Sequence, residues 1–177
     1  MHELDQIAKQ LDVDAKSQPP VHLWRPKHHG EIDIRIDGNG FWYHEGERIL
    51  RDKLVRLFAS ILWFEEDQYY LVTPAEKLRI QVVDVPYLIH QAQRIDGSWL
   101  VTTNTHEQVI IGDEHPVRLQ SYKSQDLPYV HIRYDLWARI NRSVYFQWVE
   151  EAMDNAKQDS SKLGLVSGTY EILLACD

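Results

Sequence analysis

Ile32-Asp33-Ile34-Arg35-Ile36-Asp37-Gly38-Asn39-Gly40-Phe41-Trp42-Tyr43-His44 opens with isoleucines at every second position, separated by charged residues. That period of two is the mark of a strand with one face buried. Asp37-Gly38-Asn39-Gly40 follows as a tight turn, because Gly and Asn accept the positive φ that hairpin turns need. Phe41 to His44 then returns as the partner strand, and Glu45-Gly46-Glu47 makes a second turn. The body of the chain therefore starts as an antiparallel meander.

The same grammar continues beyond this hairpin. Tyr69–Thr73, Lys77–Val85, a strand from Tyr87 to about Gln93, Ser98–Thr103, Glu107–Ile111, Val117–Tyr122 and Tyr129–Arg133 read as short strands. Leu163–Val166 and Tyr170–Ala175 close the chain. Such a series favours an α+β fold with a mostly antiparallel β core. Helical spacing appears in residues 2–16, from about Ile49 to Trp63, and from about Asn141 to Lys157. In the second of these, Leu50, Leu54, Leu57, Phe58, Ile61 and Leu62 share one face. Pro19 and Pro20 end the N-terminal helix, Trp24 and Pro26 tether that arm to the body, and 159–162 is a polar loop.

Two echoes run through the chain. Ile49-Leu50-Arg51 and Ile140-Asn141-Arg142 each head an apolar helix, and Leu71-Val72-Thr73 and Leu165-Val166-Ser167 follow them at nearly one offset. These suggest two similar β-rich halves, each with one helix, divided as an arm of 1–20 and halves of 21–90 and 91–177. An interface between halves is a common place for a ligand. Arg35-Ile36-Asp37-Gly38 against Arg94-Ile95-Asp96-Gly97 has a different offset and reads as shared hairpin chemistry.

The formal charge of −8 argues against a general affinity for nucleic acid polymers or anionic membranes, which need a basic surface. No apolar run approaches the ~20 residues that span a bilayer. The first residues lack a secretory layout, and one cysteine, Cys176, forms neither an internal disulfide nor a multi-cysteine zinc site. Cys176 reads as the end of a strand. The expectation is a cytoplasmic protein without cofactor.

Arg51 and Arg142 stand in the first turn of their helices, against the positive end of the macrodipole. Each calls for an anion, either a phosphate or a protein carboxylate such as Asp33 or Asp135. Thr73-Pro74-Ala75 is a tight turn followed by Glu76 and Lys77, and Asp84 lies at the other end of the next strand. These groups suit a polar ligand or acid–base work, or equally a solvated hairpin with a weak ion pair. His22, His28 and His29 lack the spacing of a metal site. There is no nucleophile elbow, P-loop or dinucleotide fingerprint.

Several ordered motifs carry a resemblance: Ile34–Gly38, Trp42–Gly46, Leu54–Ser60, Tyr70–Lys77, Val82–Tyr87, Pro128–Arg133 and Arg139–Tyr145. Over roughly residues 22–175 the chain resembles the bacterial family called domain of unknown function 1285. The resemblance implies two similar β-rich halves, the second superficially like a pleckstrin-homology fold. It also implies a nucleotide-like ligand between them and a role in signal transduction. The family's Thr-Pro-x-Glu-Lys stretch is matched by Thr73 to Lys77, and its Asp-x-Pro by Asp84 and Pro86.

The resulting expectation is a small-ligand-binding module with Arg51, Thr73, Glu76, Lys77, Asp84 and Arg142 at its site. One alternative is an enzyme for a phosphate-containing or polar substrate with Glu76 or Asp84 as general base. Another is a protein-interaction adaptor.

Overall fold

The computed structural model describes residues 2–11, 18–156 and 163–174. Residues 12–16 of the expected first helix, Lys157, the polar loop 159–162 and Cys176 lie outside the described residues. The chain divides into two compact units, Met1–Asp84 and Val85–Asp177. The division precedes the expected boundary at 90/91 because β7, Tyr87–Ile95, is one continuous strand. Its partners β8 (Ser98–Thr103) and β12 (Leu136–Ile140) both belong to the second unit.

In the first unit, α1 (His2–Gln10) and a 3-10 turn (Val21–Leu23) precede the strands. The meander β1 (His28–Ile36), β2 (Trp42–His44), β3 (Glu47–Arg48) follows. After α2 (Asp52–Ser60) comes a second meander, β4 (Leu62–Glu65), β5 (Gln68–Val72), β6 (Glu76–Val82). The sheet order is β3-β2-β1-β6-β5-β4, with β1 and β6 parallel at the centre. Ile34, Ile36, Leu71 and Ile80 fill its buried face, as the alternation requires.

The second unit repeats this plan. A meander of β7, β8 and β9 (Gln108–Ile110) is followed by a meander of β10 (Val117–Tyr122), β11 (Gln125–Arg133) and β12. The first and last strands again pair in parallel, giving β10-β11-β12-β7-β8-β9, which is the first order read from its other end. The helix α3 (Arg142–Ala156) and the hairpin of β13 (Gly164–Ser167) and β14 (Tyr170–Leu173) come after the sheet.

The chain is therefore α+β and mostly antiparallel, with two similar six-stranded sheets, but the mark of the repeat differs from the sequence reading. The helix with Arg51 joins the third strand of its unit to the fourth, and the helix with Arg142 follows the sixth. The two arginines are not equivalent. Leu71–Thr73 runs out of β5, whereas Leu165–Ser167 lies in β13, outside the six-stranded sheet. The true echo is the one set aside: Arg35-Ile36-Asp37-Gly38 and Arg94-Ile95-Asp96-Gly97 both carry the first strand of a unit into its second. Buried Trp42 and Trp99 follow in those second strands. Each packs on an aromatic ring of its unit's helix, Phe58 at 6.4 Å and Trp148 at 5.7 Å. Each carbonyl accepts a bond from the residue just past the third strand, Ile49 and Ile111.

Two element assignments change as well. The helix expected over Ile49–Trp63 covers only Asp52–Ser60, since Leu62–Glu65 pairs with β5 and Leu50 lies before the helix, largely exposed. The segment Leu136–Ile140, without a sequence assignment, is a central strand. Among the described residues, no helix is long and apolar enough to cross a membrane.

Candidate functional site

Lys77 anchors the site because the pleat of the first sheet sets its neighbours. It stands beside His29 on β1 and Val72 on β5, and side chains in register share a face. Trp63 pairs with Tyr70, and Tyr70 with Arg79, so Trp63 and Glu65 emerge on that same face. Chain entering from the arm crosses this face. It bends through the 3-10 turn held by Val21 N–H to Pro19 (2.8 Å) and Leu23 N–H to Pro20 (2.9 Å). Arg25 fastens the bend by donating Nη1 to the carbonyls of His22 and Trp24, both at 2.8 Å. His29 Nε2 lies 3.2 Å from the Pro26 carbonyl.

Between tether and sheet is a cavity of about 460 Å³. Its chemistry comes from His22, Arg25, His29 and Lys77, the indoles of Trp24 and Trp63, and the carboxylate of Glu65. Two permanent cations therefore face one carboxylate, a local reversal of the acidic whole. Lys77 Nζ pairs with Glu65 and lies 4.2 Å from the centre of the Tyr70 ring. A second, larger cleft of about 670 Å³ in this unit is lined by Glu31, Asp33 and Asp67 among others. Its one cation, Arg79, is paired with Glu31.

The other sequence-derived residues do not converge on Lys77. Glu76, the adjacent residue, projects from the opposite face of β6 by the pleat. Thr73 is buried and builds the turn: its Oγ1 accepts from the N–H groups of Glu76 (3.0 Å) and Ala75 (3.3 Å). Asp84 lies beyond the far end of β6, roughly 20 Å along the chain from Lys77. Arg51 is the N-cap of α2 rather than part of its first turn, and its guanidinium meets Asp5 of α1 at 3.2 Å. That carboxylate, from the arm, is neither Asp33 nor Asp135. Arg142 begins α3 behind Asn141, whose Oδ1 caps Val144 N–H at 2.8 Å, and lies over the Phe146 ring at 5.2 Å.

The second unit holds its own charged network. Burial acts to lower the pKa of Arg133, but Tyr87 and Glu107 outweigh it and the net direction is upward from the ordinary guanidinium value. Arg133 donates to Glu107 at 3.1 Å and to the Tyr87 hydroxyl at 2.9 Å, a tie within the fold. Among the described residues, no group of three or more His, Cys, Asp or Glu side chains could hold a metal ion.

Sequence reasoning passed over Trp63 and Glu65 because it ended a helix there. It had named Trp24 only as part of a tether, and His29 only among histidines without metal-site spacing.

No curated protein matches the chain. A crystal structure of a DUF1285 family protein from Silicibacter pomeroyi DSS-3 is similar at 33% identity and a TM-score of 0.83, over 95% of this chain and 93% of that one. Another, from Shewanella baltica OS155, is 31% identical with a TM-score of 0.55, over 67% of this chain and 91% of that one. The model of the DUF1285 N-terminal domain matches residues 19–85, and that of the C-terminal domain matches residues 86–172. The join of the two family models falls beside the division of the fold at Asp84, and with both units matched in order the chain belongs to the DUF1285 family.

Proposed function

We propose that the protein is a cytoplasmic module that binds a small anionic, nucleotide-like molecule in the tether cavity of the first unit. The observation that carries this reading is the meeting of Arg25, Lys77 and two histidines with two indoles in about 460 Å³. Ligand pockets commonly measure ~300–1,000 Å³. The cations suit a phosphate and the indoles suit the face of a planar ring. Of the six residues expected from sequence, this reading retains Lys77. A ligand bridging tether and sheet favours the arrangement in which they are closed together, and the tether leads back to α1. That linkage is a physical route to signalling.

Thermal unfolding with a panel of nucleoside mono- and diphosphates tests the proposal. A ligand at 100 times its Kd stabilises by ~2.7 kcal/mol, a rise of several degrees. The rise should vanish in Lys77→Gln and shrink in Arg25→Ala. An unchanged melting temperature across the panel, or a rise that survives Lys77→Gln, would refute it.

A further inference from the structure

We infer that Glu65 is a placeholder anion, the ion-pair partner of Lys77 that yields it to an incoming ligand. The inference rests on the cavity being the ligand site. The two partners are held very differently. The Lys77 side chain is 17% exposed, in register between His29 and Val72, and its ammonium lies over Tyr70 at 4.2 Å. Glu65 is 49% exposed, at the last position of edge strand β4, where no further ladder holds it. When the pair separates, the carboxylate turns into water at little cost, while the ammonium stays where the cavity presents it. Both line the same space, so an incoming phosphate and Glu65 compete for one cation.

Glu65 thereby sets which ligands bind. A weak or singly charged anion does not repay separation of the pair, whereas a phosphate with a stacked ring does. A neutral ligand leaves the pair intact and gains nothing from its removal. Glu65 is thus a specificity-determining residue for charge, independent of the ring.

Calorimetric titration of the full chain with adenosine monophosphate and with adenosine reads this directly. Glu65→Gln should bind the monophosphate about threefold to fivefold more tightly than wild type, the upper part of what a partly solvated ion pair can withhold. Adenosine should show no such gain, and Glu65→Gln combined with Lys77→Gln should lose it. Glu65→Ser repeats the measurement if the glutamine variant melts lower than wild type. Wild type and both Glu65 variants binding the monophosphate within twofold of each other would overturn the placeholder role and leave the site standing. Absence of binding to all of them would sink the site and the placeholder together.

Discussion

The guanidinium of Arg51 reaches Asp5 with both side chains about half exposed, 56% and 47%. Solvent screens such a pair, so it holds ~0.5 kcal/mol or less. Ser167 is smaller and uncharged but buried. Its Oγ accepts the Trp99 N–H at 2.9 Å and donates to the Ile111 carbonyl at 2.7 Å, joining β13 to β8 and to the end of β9. Deleting that hydroxyl strands a buried donor and a buried acceptor, a larger loss than an exposed ion pair. Urea unfolding should therefore show Ser167→Ala destabilised by ~2 kcal/mol and Arg51→Ala almost unchanged. Equal effects would mean that burial does not separate them. The sequence displayed a cation at the start of two helices, but not Asp5 as the partner of one, because only the fold brings α1 to α2. Lys77 was legible as a polar residue after a turn; its site was not, since its neighbours come from three other strands and the tether.

At the scale of elements, the hairpin turns were legible wherever glycine marked them, as at Gly46 and Gly97 with φ near +80°. Two two-residue turns without glycine hold both of their central residues at positive φ. Glu66 and Asp67 (φ 50° and 58°) join β4 to β5, and Lys123 and Ser124 (φ 50° and 63°) join β10 to β11. Both have the positive φ at two central positions that a two-residue hairpin of right-handed twist demands. Without Asn or Gly there, the register of these hairpins is set by the strands rather than the turn. Leu62 continues an apolar helical spacing, so the sequence reads as helix as far as Trp63, with Glu65-Glu66-Asp67 as the break that starts a hairpin. A left-handed conformation costs an ordinary residue ~1 kcal/mol, and Gly is free of that cost. Ser124→Gly should raise the melting temperature by a few degrees, with Lys123→Asn adding a smaller gain. Ser124→Val at the same place should lower it, and a rise with valine would show that the turn does not hold the positive φ.

At the scale of the whole molecule, the parallel pair at the centre of each sheet decides how each unit holds itself together. Antiparallel meanders were visible from alternation because their neighbours are close in sequence. The pairings β1 with β6 and β7 with β12 were not, because they join the first and last strands of a unit and no local pattern reports a partner so distant. The arginines at two helix starts drew attention instead, although one helix lies within its unit's sheet order and the other follows it. Closing each unit requires ordering the long connection between its first and last strands. The reward is burial of Ile34, Ile36 and Ile80 in one sheet and of Tyr87, Ile89, Ala138 and Ile140 in the other. Local opening can free β3, β4, β9 or β10, each at a sheet edge, without disturbing that centre. Native-state hydrogen exchange should accordingly find the slowest amides of each unit in its parallel pair, with the edge strands exchanging through smaller openings. Because both units share one topology, the ranking should be the same in each, whatever their separate stabilities. Slowest exchange in α2 or α3 would instead make the helices, whose starts carry the expected repeat, the most stable parts of the two units.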